Sequence, residues 1–151
     1  MEVGQRMIEI LKFCEGPGAA PGYDRPFNHN GFTYATDGQI VVRVPQQPMW
    51  PERAFLLPGM ATLLFDHARL PAAMWSDAMK AKQCSCNEAF IQYGRHCVAL
   101  KYARLMNTLP GLQLAPDASE LGRPIRFKFT VDGTANAAPY IGLGFVRGWV
   151  K

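Results

Sequence analysis

The side chains best able to bind a metal or attack an electrophile in this chain are four cysteines and three histidines. Cys84-Ser85-Cys86, followed by His96-Cys97, offers four donors of the kind that hold zinc. The spacing is neither a C-x-x-C pair nor a zinc-finger pattern. Residues 90–93 and 96–99 read as a hairpin about Gly94-Arg95, with Cys97 opposite Gln92. Cys86 precedes Gln92 by six residues, about 20 Å along a straight strand at ~3.3 Å per residue. Ligands of one zinc must converge within a few ångströms, so Cys84, Cys86 and Cys97 are expected to be buried or idle thiols. Neither a metal nor another cofactor is expected.

Acid–base chemistry is no better supplied. His29 and Asp37 fall at opposite ends of one predicted strand, and Asp37 suits a turn through its tolerance of positive φ. His67 follows Asp66 at a predicted helix end, where a histidine complements the helix dipole. His96 flanks a turn. The chain has no P-loop, no G-x-S-x-G and no H-E-x-x-H. Gly142-Leu143-Gly144 comes late and opens no helix, so it is not a dinucleotide fingerprint. The residues therefore predict a protein that is not an enzyme.

Charge and aromatic placement point to macromolecular partners instead. The net charge is +4 over 151 residues. Residues 1–75 carry six Lys and Arg against seven Asp and Glu, and residues 76–151 carry ten against five. A basic second half suits a polyanionic partner such as nucleic acid. Met49-Trp50-Pro51, Met74-Trp75 and Trp149 lie near loops or the chain end, where Trp and Met make good interface anchors. If exposed, Trp50, Trp75 and Trp149 would serve a protein-interaction or inhibitory module acting on a host protein. Residues 125–131, placed at an open sheet edge, would also accept a partner strand.

The elements that must position these groups fit one domain over residues 1–151. Apolar residues make up 48%, which excludes wholesale disorder, while 14 Gly and 12 Pro favour a turn-rich, largely β or mixed architecture. No apolar window is long enough to span a membrane. The charged residues Glu2, Arg6, Glu9 and Lys12 argue against a signal peptide, and unpaired cysteines are expected in the cytoplasm. Apolar spacing predicts a helix over 3–14, stopped by Gly16-Pro17-Gly18. A three-stranded meander follows over 27–29, 32–36 and 39–44, with two-residue turns at Asn30-Gly31 and Asp37-Gly38. That turn length pairs Ala35 with Ile40 and Thr33 with Val42.

A loop over 45–51, a short strand over 55–57 and a short helix over 59–67 come next, and residues 72–82 suit a helix. The second hairpin over 89–100 leads into a helix over 102–109, ended by Pro110-Gly111. Ile125, Phe127, Phe129 and Val131 alternate with Arg126, Lys128 and Thr130, which predicts a strand with a basic outer face. Residues 140–150 supply a closing strand.

A helix followed by antiparallel strands thus occurs twice, in halves of roughly 1–58 and 88–151. The predicted fold is α+β, with two helices side by side on one face of an antiparallel sheet. This order resembles a single domain of a bacterial DNA sliding clamp. Phe32-Thr33-Tyr34-Ala35-Thr36-Asp37-Gly38 is similar to the clamp strand that ends in Ala-Thr-Asp before a turn. Val98-Ala99-Leu100-Lys101-Tyr102-Ala103-Arg104-Leu105 is similar to the clamp's strand-to-helix run. The chain also resembles small phage and prophage proteins of this type. Clamp subunits carry three such domains and end in Met-Pro-Met-Arg, whereas this chain holds one and ends Gly148-Trp149-Val150-Lys151. The resemblance implies sequence-independent association with DNA or replication proteins, and six copies to close a ring. It further implies that Arg6, Lys12, Lys101 and Arg104 contact phosphates. Arg126 and Lys128 are further candidate phosphate contacts.

Overall fold

The structure, a computed structural model, describes residues 10–53, 72–77, 82–83, 90–93, 96–115, 124–130, 141–146 and 149–150. Asn30 and Gly31 both take positive φ, 49° and 85°, as a two-residue turn of the strand-compatible hand requires. They join β1 (Phe27–His29) to β2 (Phe32–Thr36), with Phe27 opposite Tyr34. The second turn departs from expectation. β2 pairs with β3 (Ile40–Pro45) so that Ala35 faces Val42 and Thr33 faces Val44, two residues off the expected register. Asp37 does not use a positive φ. Its Oδ1 accepts the N–H groups of Gln39 and Ile40 at 2.8 and 3.1 Å, and Thr36 Oγ1 accepts that of Gly38 at 3.0 Å. These bonds widen the loop before pairing begins. A slip of two residues leaves every side chain on its predicted face.

Two further short strands, β4 (Ser76–Asp77) and β5 (Lys82–Gln83), stand where a helix over 72–82 was expected, after a 3-10 turn at Ala72–Met74. Pairing with residues 113–114 and 91–92 overrides local helix propensity there. β6 (Phe90–Tyr93) and β7 (His96–Ala99) form the expected hairpin, with Cys97 opposite Gln92. Helix α1 (Leu100–Met106) begins directly at the end of β7. It starts two residues before its predicted limit and ends three before it. Asn107 N–H closes onto Ala103 O at 3.0 Å, and the Thr108 hydroxyl donates to Leu105 O at 2.6 Å. β8 (Gln113–Ala115), unforeseen, precedes β9 (Ile125–Thr130) and β10 (Ile141–Val146). The expected strand over 140–150 is divided, because β11 (Trp149–Val150) belongs to a different sheet from β10.

The larger sheet runs β1-β2-β3-β10-β9-β8-β4 and the smaller β11-β7-β6-β5, with every strand pair antiparallel. The protein is thus a mixed, mostly β structure with one α-helix among the described residues. β9 lies between β10 and β8, so it is interior and cannot accept a partner strand as expected from the sequence. Of the helix predicted over 3–14, the described part is a 3-10 turn, Ile10–Phe13. The strand expected over 55–57 and the helix expected over 59–67 lie outside the described residues. No helix among the described residues is long and apolar enough to cross a membrane.

The main core fills the space between the larger sheet and the helical segments. Ile10 and Phe13 of the 3-10 turn and Tyr102, Ala103 and Met106 of α1 pack with Ala35, Val42, Ile125, Phe127 and Phe129 from the sheet. Burial of each such large side chain contributes roughly 1.5–3 kcal/mol. The opposite face of the sheet carries a smaller cluster of Phe27, Tyr34, Val41 and Phe145. Glycines in β10 make the main packing possible. Gly142 and Gly144 stand opposite Phe129 and Phe127, whose rings occupy the space a side chain would need.

A buried polar hub fixes one edge of this sheet. Asn28 is buried in β1, and its side-chain amide donates to Gln47 O at 2.9 Å and Trp50 O at 2.8 Å. The Thr33 hydroxyl donates to Asn28 Oδ1 and accepts Gln47 N–H at 2.8 Å. Backbone bonds from Asn28 to Pro51 and from Arg53 to Asn28 complete a parallel bridge that lays residues 51–53 along β1. The segment thereby covers an edge that would otherwise invite aggregation.

Candidate nucleic-acid interface

The six predicted phosphate-binding cations do not share one surface. Lys12 is exposed on the 3-10 turn between buried Ile10 and Phe13. Lys101 and Arg104 are exposed on α1, three residues apart and therefore on one helix face, while Tyr102, Ala103 and Met106 turn inward. These three cations line the helix side of the molecule. Arg126 and Lys128 alternate with core residues Ile125, Phe127 and Phe129, so they project from the other face of the sheet and are half-buried. Arg6 lies outside the described residues.

Asp37 ties the helix side together. Its Oδ2 accepts the Tyr102 hydroxyl at 2.6 Å, joining the β2–β3 loop to α1 across 65 residues of sequence. Burial raises the Tyr102 phenol well above its ordinary range, and the hydrogen bond and charge of Asp37 add to the rise. The Lys101 ammonium lies 4.9 Å from the centroid of the same ring. Cys14, half-buried beside the 3-10 turn, is pushed up to about 11, chiefly by burial and further by Asp24 and Asp37. A hydrogen bond with the Thr36 backbone works in the opposite direction. Thiol and phenol are therefore both held protonated near neutrality, the reverse of an activated nucleophile. This cluster can lock the 3-10 turn, loop and helix to one another.

On the sheet side, register places Arg43, Leu143, Lys128 and Gln113 in one row across β3, β10, β9 and β8. The Arg43 guanidinium lies 4.0 Å from the Phe32 ring centroid, and Lys128 lies 4.5 Å from that of Trp75. Arg43 was not singled out from the sequence. The signal was its parity with Phe32, which places both on the face opposite the core.

The other predicted groups are structural or outside view. Trp50 is half-buried, and its indole N–H donates to Gln47 Oε1 at 2.9 Å. Trp75 is half-buried beneath Lys128, and nothing is described of the Trp149 side chain. His29 Nδ1 lies 3.1 Å from Arg53 O. Cys97 is buried, whereas Cys84, Cys86 and His67 lie outside the described residues. The straight strand expected between Cys86 and Gln92 falls mostly on residues outside the described ones. Among the described residues, no group of three His, Cys, Asp or Glu side chains could hold a metal ion. Comparison with protein-family models, curated proteins and solved structures finds no match.

Proposed function

We propose that this chain is a non-enzymatic binding module that lays its helix side along the backbone of duplex DNA in a clamp-like manner. The observation that carries this reading is the sheet order. Two three-stranded meanders, β1-β2-β3 and β10-β9-β8, join through β3 and β10, and each follows a helical segment in the chain. Both segments pack into one core, leaving Lys12, Lys101 and Arg104 on the solvent side. Three phosphate contacts predict a slope of log affinity against log salt near −2.7 per chain, at ~0.9 per contact. Fluorescence anisotropy with a labelled duplex tests this, and Lys101→Gln with Arg104→Gln should reduce the slope by ~1.8. No binding at ~50 mM salt would overturn the reading, since phosphate-driven affinity is strongest at low salt. A ring-sized mass in solution would extend it to an encircling assembly.

A second reading, interaction with another protein, is favoured by three exposed apolar side chains: Leu11 at 53%, Met49 at 60% and Met74 at 38%. With Trp50 and Trp75 engaged internally, the methionines are its better anchors. Sedimentation of Met49→Lys and Met74→Lys tests whether they support self-association, and an unchanged mass would remove that form of the reading.

A further inference from the structure

We propose that Tyr102 and Asp37, through the hydrogen bond between them, are positioning residues for the helix-side cations, a role that rests on the helix side meeting duplex DNA. Helix α1 has seven residues, well short of the ~12–15 an isolated helix needs, and Ala99 at its start brings no side-chain cap. Its buried face must therefore hold it. Ala103 and Met106 contribute apolar contact, which fixes how deep the helix sits but has no direction. Tyr102 adds a directional bond, 2.6 Å from its hydroxyl to Asp37 Oδ2. Asp37 is itself held, because its Oδ1 accepts the N–H groups of Gln39 and of Ile40, where β3 begins. One side chain thus ties the rotation of α1 about its axis to the sheet.

That rotation decides where the cations lie. Lys101 and Arg104 flank Tyr102 in sequence and are exposed, and the Lys101 ammonium sits 4.9 Å from the Tyr102 ring centroid. Side-chain tips lie about 5–6 Å from a helix axis, so a turn of ~30° carries them about 3 Å. A charge-assisted contact to a phosphate oxygen is about 2.7–2.9 Å long, so such a shift breaks it or makes it re-form at a cost in side-chain entropy. The preceding residue of the same loop anchors the other helical segment, since Cys14, next after the 3-10 turn, hydrogen-bonds with the Thr36 backbone. Consecutive residues, Thr36 and Asp37, set both segments against one frame.

The test compares the full-length parent with Tyr102→Phe, which removes the hydroxyl and keeps the ring beside Lys101. With a labelled duplex titrated by anisotropy from ~50 mM salt upward, the salt slope should fall by ~0.9–1.8, the share of one or two contacts, although no charge has been removed. A merely structural role lowers the folded fraction and leaves that slope unchanged. In the Tyr102→Phe background, Lys101→Gln with Arg104→Gln should remove less than the ~1.8 it removes from the parent. Hydrogen exchange on the free protein needs no DNA, and residues 100–107 should exchange ~5-fold faster in the variant. Should Tyr102→Phe melt below the assay temperature, Asp37→Ser carries the same expectations, because its hydroxyl still accepts the loop amides but falls short of Tyr102. Duplex binding by the parent with an unchanged slope in the variant overturns the positioning role alone, as does unchanged exchange over residues 100–107. No duplex binding by the parent overturns the helix-side reading and this role with it.

Discussion

Substitution of Gly144 by alanine tests how closely β10 is built against its neighbours. An ideal Cβ at this position would fall 2.5 Å from the backbone carbonyl oxygen of Val41 and 2.6 Å from Phe127 Cε1, with Phe127 Cζ closer still. Ordinary carbon contacts lie near 3.5–4.0 Å, so something must move. Phe127 is fully buried, and turning its ring away from a staggered rotamer costs about 0.5–1.5 kcal/mol. The Val41 carbonyl belongs to β3, so it moves only by straining the β3–β10 ladder, at about 1 kcal/mol for a weakened hydrogen bond. Overpacking elsewhere in the core contributes further, and the lower backbone entropy of alanine offsets roughly 0.5–1 kcal/mol. The net expectation is about 2–3 kcal/mol of destabilisation in urea unfolding.

Gly142→Ala provides the contrast. Its nearest neighbours are Phe129 ring atoms alone, including Cδ2 at 2.7 Å, so a loss of about 1–2 kcal/mol is expected. Phe129→Leu should recover much of that loss in a double-mutant cycle, with ~1 kcal/mol of favourable coupling. Phe127→Leu should rescue Gly144→Ala less fully, because the Val41 carbonyl remains in the way. Unchanged stability for Gly144→Ala, or additive cycles at both positions, would refute the packing argument.

Asn28→Ala should cost about 2–4 kcal/mol, since it strands the Thr33 hydroxyl and two loop carbonyls. Faster proteolysis within residues 46–53 would accompany the loss, and an unchanged midpoint would refute the hub. Tyr102→Phe should cost about 1 kcal/mol at neutral pH. Because folding raises the Tyr102 value, its contribution is intact below the ordinary phenol value of 10.0 and is lost as pH rises above it. Stability measured from pH 8 upward should therefore fall more steeply in the parent than in the phenylalanine variant. Cys14, raised from 9.0 to about 11, follows the same sign, so its contribution fades between those values as pH increases. At pH 8 its thiolate fraction is ~100-fold below that of a free cysteine, and peptide mapping should show correspondingly slow alkylation. Tyr93→Phe should be neutral or slightly stabilising, because the buried hydroxyl has no hydrogen-bond partner among the described residues. A loss above ~1 kcal/mol would show that this hydroxyl is engaged.

Alternation and turn chemistry carried most of what the sequence reveals. Asn30-Gly31 marks its turn because few other dipeptides accept two successive positive φ values. The 125–130 run reveals its buried face because its period is two. Asp37-Gly38 reads identically as a dipeptide, yet the Asp37 carboxylate caps two backbone amides and a distant tyrosine, neither of which is visible locally. β4, β5 and β8 are two or three residues long and exist through pairing, β4 with β8 and β5 with β6, so no periodicity announces them. Asn28 was illegible for a similar reason, since its loop partners lie 19 and 22 residues away.

The candidate site shows what pattern alone can and cannot separate. Basic residues were legible as a set, but their division required knowing which face the helical layer covers. Once Phe127 and Phe129 are seen to meet α1, the parity of β9 sends Arg126 and Lys128 to the opposite side from Lys101 and Arg104. A helix about 10 Å thick and the sheet itself stand between the two groups, which exceeds the Debye length of about 8 Å at physiological salt. The helix-side group should therefore meet a duplex independently of Arg126 and Lys128, counting three charges. A duplex slope near −2.7 fits engagement of the helix side alone, whereas a markedly steeper one would require DNA to wrap both faces and would dissolve the distinction between them.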